Sequence, residues 1–288
     1  MVTVKLMGGL GNQMFQYAIG RSLAHDLGEE LYLDVSFYDR RHSLDTTPRH
    51  YELFHLNVKG NVVRRGIISR MLMLFLENLV KKCPFIYHKY ILEKKLDYNP
   101  SIINKEHNLY LDGYWQCEKY FLHNEAIIRQ DLQVITLQSN ANMRWSELIS
   151  RTTSICLHVR RGDYVTNAAA NSTHGLCSLA YYYESIKYIS EMVQNPVFFV
   201  FSDDLEWTKT NISIPYEVHY MDQNGPDEDY EDLRLMMQCK HFIIANSSFS
   251  WWGAWLGNYK DKIVVCPKHW FNDSDLKSDI IPESWVRL

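Results

Sequence analysis

The chain has 288 residues, 46% of them hydrophobic and 22% charged, with a formal net charge of −4. That length suffices for one large globular domain or two modest ones, and the charge gives no whole-chain argument for nucleic-acid binding. Six scattered cysteines, Cys83, Cys117, Cys156, Cys177, Cys239 and Cys266, form no C-x-x-C pair, which argues against a zinc or redox motif and for a reducing compartment. Aromatic residues make up 14% of the chain. That suits sugar handling, although aromatic-rich cores are commoner.

Chain order begins with a strand, Val2–Met7, and the turn Gly8-Gly9-Leu10-Gly11. A helical pattern follows from about Asn12 to Leu27, and then a strand over Glu30–Asp34; a tight βα turn with Asn12 as N-cap is the plainer alternative to a ligand-binding turn here. This β–turn–α–β start is that of an α/β domain. No basic leader with an apolar core precedes it, so a cytoplasmic location is expected. Residues 59–95 hold nine Lys/Arg and two Glu, and Ile67, Ile68, Met71, Leu72 and Phe75 recur at near-helical spacing. Two readings stay open: a basic amphipathic helix lying on the inner face of the cytoplasmic membrane, or a helical insertion packed on the core.

From residue 151 strands and helices alternate, which predicts a largely parallel sheet. Strands are expected over Ser154–Arg160, Val197–Ser202, Glu217–Tyr220, His241–Ala245 and Lys262–Cys266. Helices are expected over Ser178–Val193, Asp229–Cys239 and Phe249–Gly257. The domain boundary is placed near 150, giving units 1–150 and 151–288.

Four constellations could carry chemistry. In SICLHVRRGDY, an apolar strand ends in His158, Arg160, Arg161 and Asp163. Ligands of open α/β sheets bind beyond the carboxyl ends of strands, and an arginine there can hold a phosphate bidentately. Period two puts His158 and Arg160 on one side and Arg161 on the other. A surface arginine pair neutralised by Asp163 is the plainer alternative. The Gly-rich turn at 8–11 places backbone N–H groups beside a helix start, which favours an anion. It lacks the third glycine of a dinucleotide fingerprint and the lysine of a P-loop. FSDD at 201–204 follows another apolar strand. Its acids could meet a ribose, a base or a metal, or cap a helix. DLRLMMQCKHFIIANSSFSWWGAWL at 232–256 adds the strand-to-helix turn Asn246-Ser247-Ser248, a second anion cradle. Trp251, Trp252 and Trp255 recur at helical spacing, as core residues do. The D-x-D patterns 227–229 and 273–275 read as a helix start and a polar loop.

GGLGNQMFQYA at 8–18, HVRRGDY at 158–164, FSDD and the 232–256 segment, in this order, resemble the α-1,2-fucosyltransferases (glycosyltransferase family 11), in a bacterial soluble form. More distantly they resemble the α-1,6- and protein O-fucosyltransferases. HGLCSLAYYYESI at 174–186 also fits, with Ala180 where an acid is expected. The resemblance spans nearly the whole chain. It implies a GT-B-like fold, two Rossmann-like lobes with the donor site between them: residues 1–150 mainly on the acceptor side, residues 151–288 binding GDP-L-fucose. GDP-fucose would be a co-substrate, with no cofactor and no metal. Arg160 would hold the diphosphate, with Arg161 and Asp203 as less certain donor contacts. His158 and Asp232 would lie near the guanosine. Ser247, Ser248 and Phe249 would line the phosphate pocket, and Asn12 would approach from the other lobe.

The expected reaction is inverting transfer to the 2-hydroxyl of a terminal β-galactose in a surface glycan, such as a lipid-linked oligosaccharide. The base is the gap. Relatives use a glutamate after the arginine motif, whereas this chain has alanines at 168–170, leaving Asp163 and His174 as candidates. Four rivals remain, among them a transferase with another acceptor or linkage, a hydrolase or kinase using the glycine turn, and a non-catalytic carbohydrate-binding module built on the tryptophans. Nucleic-acid binding through 59–95 ranks last.

Overall fold

A computed structural model of the chain describes residues 1–39, 49–64, 66, 90–103, 107–273 and 276–288, without the side chains of 163 and 168–170. Most of the basic 59–95 segment, Cys83 and the second acid of the 273–275 pattern lie outside the described residues. The chain divides into two compact units, Met1–Gln133 with Lys277–Ile280, and Val134–Leu276 with Ile281–Leu288. No helix among the described residues is long and apolar enough to cross a membrane.

The first unit carries a five-stranded sheet of β1 (Val2–Lys5), β2 (Leu31–Asp34), β3 (Asn61–Val63), β4 (Tyr90–Leu92) and β5 (Leu109–Asp112), in the order β3-β2-β1-β5-β4. Every pairing is parallel. Strands buried on both faces need continuous apolar runs, and Val2, Val4, Leu33 and Leu111 are fully buried. The helix Leu10–Leu27 covers this sheet and ends at Gly28 in the left-handed conformation, φ 62°. The helix starts at Leu10, with Gly9 at the cap position, so Asn12 lies inside the first turn and is not the N-cap.

The second unit carries β6 (Thr153–Val159), β7 (Pro196–Ser202), β8 (Glu217–Tyr220), β9 (His241–Ile243), β10 (Val264–Cys266) and β11 (Val286–Arg287). Their order is β11-β10-β9-β6-β7-β8, again parallel throughout. The chain winds outward from β6 through β7 to β8, then crosses back to β9 and winds the other way. The order therefore reverses between β6 and β9, and the crevice beyond their carboxyl ends is where this topology binds ligands. On one face, Ile155, Leu157, Val159, Phe198 and Val200 pack with Tyr181, Tyr182, Ile186 and Ile189 of the helix Leu179–Met192. Alternate residues point the other way, where Phe199 meets the edge of Trp145 from the helix Asn140–Arg151.

The units divide at 133/134, earlier than the boundary near 150 expected from the sequence. The helix Asn140–Arg151 is the reason. Its Asn142 amide donates to Asn224 Oδ1 at 2.7 Å and Glu231 Oε2 at 3.2 Å, and its Ile149 is fully buried in the second unit. The short return at 277–280 rejoins the first unit, where the Asp279 carboxylate accepts the Tyr98 N–H at 2.7 Å.

Candidate active site

The strand β6 delivers Arg160 and Arg161 to the carboxyl edge of the second sheet, and β7 delivers Asp203 and Asp204 beside them. Arg160 Nη1 lies 2.9 Å from Asp203 Oδ2, and its guanidinium carbon is 5.5 Å from the centre of the Tyr164 ring. Asp203 Oδ1 also accepts the Arg161 backbone N–H at 2.8 Å. One carboxylate thus fixes both the turn and the arginine side chain. Gly162 permits this approach, because a Cβ there would sit 2.4 Å from Asp203 Oδ2.

Arg161 is held differently. Its Nε donates to Asp204 Oδ2 at 3.1 Å, and its guanidinium stacks 3.6 Å from the centre of the Trp207 ring. Asp204 in turn caps the helix Leu205–Asn211, accepting the Trp207 N–H at 3.2 Å. The sequence expectation that FSDD contacts the donor or caps a helix resolves acid by acid: Asp203 orients Arg160, and Asp204 is the cap. Each arginine is thus paired with one of the two acids that follow β7; the Asp163 side chain lies outside the described residues.

His158 is buried at 4% exposure, and its Nδ1 has no hydrogen-bond partner. Burial lowers its pKa to about 4, with Asp203 acting upward and Arg160 downward. The ring is therefore neutral at pH 7, one nitrogen remaining to be satisfied. An unpaired buried polar atom is costly, so it marks a place where a ligand can bond. The ring of Phe249 stands 6.1 Å from it.

Phe249 lies in the first turn of the helix Ser248–Leu256. Ser247, the residue before it, is extended (φ −131°) and makes no side-chain cap. The start of this helix lies at the strand-end crevice, and the positive end of a helix dipole favours an anion there. Asn246, which precedes them, clamps the turn: its amide donates to His174 O at 2.7 Å and Trp270 O at 3.2 Å. Tyr164 OH donates to Asn246 O at 3.2 Å, tying the arginine segment to the serine turn. Trp251, Trp252 and Trp255 are buried and mutually packed, with centroids 4.9–6.0 Å apart. They form core, as their spacing predicted, and offer no exposed sugar platform.

Asp232 lies in the first turn of the helix Asp229–Gln238, with Oδ1 accepting from Asn224 Nδ2 at 2.7 Å. Burial pushes its pKa up to about 7; the Asn224 hydrogen bond opposes this, and Asp229, Glu228 and Glu231 add to it. His174 ends the helix Ala168–His174 and stacks on Tyr164, centroids 5.0 Å apart and planes 6° from parallel.

In the first unit, the glycine turn sits between β1 and its helix, at that sheet's own point of strand-order reversal. Gly8 has φ 79°, the left-handed region that suits glycine. Two fully buried glutamines hold the turn. Gln13 Nε2 donates to Gly8 O at 3.1 Å, and Gln16 Oε1 accepts the Met7 N–H at 2.9 Å. Asn12 Oδ1 accepts from Gln116 Nε2 at 2.8 Å. Neither glutamine stood out in the sequence, although a polar residue on an otherwise apolar helix face is the signal that could have found them.

Two parallel-sheet α/β units, one with an arginine, a serine turn and a buried histidine at its strand ends, define a glycosyltransferase of GT-B-like fold. The chain belongs to glycosyl transferase family 11, whose model matches residues 1–288. It is similar to an α-1,2-colitosyltransferase of Escherichia coli, 37% identical over 100% of this chain and 98% of that one. The O-antigen biosynthesis glycosyltransferase WbnK of Escherichia coli is 33% identical over 98% and 99%. Among solved structures, the α-1,6-fucosyltransferase NodZ soaked with GDP-fucose covers 88% of this chain and 91% of its own at TM-score 0.51 and 15% identity. A GDP complex of an Arabidopsis thaliana FUT1 variant covers 91% and 69%, at TM-score 0.52 and 13% identity. At such identities the likeness is one of fold.

Proposed function

We propose that this family-11 enzyme is a galactoside α-1,2-fucosyltransferase. It would move L-fucose from GDP-β-L-fucose to the 2-hydroxyl of a terminal β-galactose in a surface glycan, with inversion and without a metal. The observation that carries this reading is the Asp203-oriented Arg160 at the end of β6, tied through Tyr164 to the serine turn and helix start that follow β9. An arginine facing a helix N-terminus is an apt seat for a diphosphate.

Breaking the anomeric C–O bond leaves negative charge on the β-phosphate. Arg160 and the N–H groups at Ser248 and Phe249 would stabilise that charge in the transition state. The neutral imidazole of His158 and the carboxylate of Asp232 would bond the polar edge of the guanosine. Because the leaving group is stabilised so directly, the acceptor hydroxyl needs only modest assistance, for which Asp163 and His174 are the candidates. Chemistry would take place at the cytoplasmic face of the membrane, on a lipid-linked glycan, with the 59–95 segment as a candidate peripheral contact.

The names of relatives support the linkage and the pathway: an α-1,2-colitosyltransferase, an O-antigen glycosyltransferase and a galactoside 2-α-L-fucosyltransferase of Mus musculus, the last 24% identical over 89% of this chain. The first of these also favours a second reading, in which the donor sugar is colitose, a fucose lacking its 3-hydroxyl. Incubation with GDP-fucose or GDP-colitose and a panel of β-galactosides, with product mass and linkage read out, tests both. A 2-linked α-fucosyl product is expected. Faster turnover of GDP-colitose would transfer the assignment to that sugar, and absence of either product would refute the galactoside reading.

A further inference from the structure

A cleft of about 380 Å³ opens in the second unit beyond the ends of β9 and β10, within the size range of small-molecule sites. Its walls include His174, Ser178, Tyr181, Lys268, His269 and Phe271. None of the mechanism above uses Lys268 or His269.

Most of the polar wall is already bonded. Ser178 Oγ accepts the Tyr181 N–H at 3.1 Å, and Tyr181 OH donates to Ile244 O at 2.6 Å. The Asn272 amide, at the rim, donates to Asn171 O at 2.7 Å. These bonds make the cleft preformed. Lys268 and His269 differ: both are exposed, and neither side chain takes a hydrogen bond or ion pair among the described residues. The cleft therefore presents aromatic surface from His174 and Phe271, two nitrogen donors with no side-chain partner among the described residues, and no acidic side chain, with the terminal residue Leu288 also in its wall. Flat rings with nearby hydrogen-bond donors match the apolar faces and ring hydroxyls of a neutral sugar.

Position argues that this sugar belongs to the acceptor. The nucleotide groups, His158 and Phe249, lie on one side of the second sheet, whereas Tyr181 belongs to the core on the other. The two sites meet at Asn246, which lines the cleft and precedes the serine turn. A relay of rings also joins them. Arg160 lies 5.5 Å from the Tyr164 centroid, and Tyr164 lies 5.0 Å from the His174 centroid, so His174 is no more than about 10.5 Å from the guanidinium carbon. A glycan whose terminal residue reacts at the phosphate could lay its next units into the cleft.

We propose that this cleft is an acceptor subsite that binds the sugar units following the reacting residue of a neutral glycan. The proposal deepens the galactoside reading and rests on it for the identity of the terminal sugar. The test compares wild type with the double variant Lys268→Ala/His269→Ala, both surface positions. Methyl β-galactoside and the galactose-terminated tetrasaccharide lacto-N-tetraose serve as acceptors, and calorimetry with lacto-N-tetraose in the presence of GDP gives binding independently of transfer. In wild type the longer acceptor should have the lower KM. In the variant its KM and Kd should rise about tenfold, the effect of losing one hydrogen bond to a charged donor. The KM of methyl β-galactoside, the KM of the donor and kcat should not move. An unchanged tetrasaccharide KM and Kd, or a rise in donor KM instead, overturns the proposal. If wild type transfers no fucose, the galactoside reading fails, and the calorimetric comparison still decides whether the cleft holds glycan.

Discussion

On the proposed reading, replacing Arg160 with alanine removes the cation at the point where leaving-group charge develops. Loss of one preorganised donor of this kind costs about 3–4 kcal/mol in the transition state, or a fall of roughly 10²–10³ in kcat. The structure adds a second contribution. Arg160 neutralises Asp203 at 2.9 Å, with side chains only 22% and 25% exposed. Without the guanidinium, Asp203 keeps the Arg161 N–H as a partner but leaves a carboxylate beside the diphosphate. Two like charges about 4 Å apart repel by up to ~4 kcal/mol at an effective dielectric near 20. Arg161 cannot swing across to compensate, being bonded to Asp204 and stacked on Trp207. The double variant Arg160→Ala/Asp203→Asn should therefore recover part of the lost rate, roughly tenfold, without approaching wild type. Single-turnover transfer from radiolabelled GDP-fucose measures the rate, calorimetry measures GDP affinity, and circular dichroism confirms folding. A folded Arg160→Ala enzyme with a near-wild-type rate would refute the assignment. An undiminished loss in the double variant would refute the repulsive contribution alone.

Asp232, with a pKa near 7, is ionised above that pH, and on the proposed reading it would then accept from guanine N–H groups. Donor KM should rise about tenfold for each pH unit below 7 and level off above it, and Asp232→Asn should abolish the dependence; a flat wild-type profile would disprove this. The sign for stability is opposite. A carboxyl whose folded pKa is raised loses stability as pH climbs from its unfolded value near 4 to about 7, so Asp232→Asn should raise the melting temperature of the unliganded protein at pH 8. Gly162→Ala drives a Cβ into Asp203 and misplaces Arg160, with an expected loss of about 10² in kcat and an unchanged circular dichroism spectrum; near-normal activity would show that Asp203 can move without consequence. Trp251→Ala, in a fully buried cluster, should destabilise by ~3–5 kcal/mol in urea titration, and a loss below about 1 kcal/mol would contradict its core role. Asp163→Asn and His174→Ala separate the base candidates: rates and pH profiles matching wild type would remove both.

Much of the architecture was legible because apolar runs of strand length recur between helical patterns. The strand at Glu217–Tyr220 coincides with its sequence expectation, and the helix Leu179–Met192 differs by one residue at each end. Periodicity carries such elements, since burial of one face is a local property of the chain. The first unit was less legible. Its β4 and β5 are three and four residues long, too short for alternation to stand out, and the helix Asn140–Arg151 was missed with a corresponding error in the boundary.

By itself the sequence determined that Arg160 follows an apolar strand, that a serine turn follows another, and that three tryptophans share a helical stripe. Those facts depend on neighbours along the chain. Only the tertiary structure decided which acid each arginine meets. Asp203 and Asp204 lie some forty positions away, and the parallel register pairing Val159 with Ser202 brings them to Arg160 and Arg161 respectively. The same is true of the unpaired nitrogen of His158, which burial between packed layers creates, and of the cleft beside Lys268, which forms where two strand ends meet. Charge neutralisation, desolvation and cavity shape depend on what surrounds a group in three dimensions, so adjacency in sequence could not supply them.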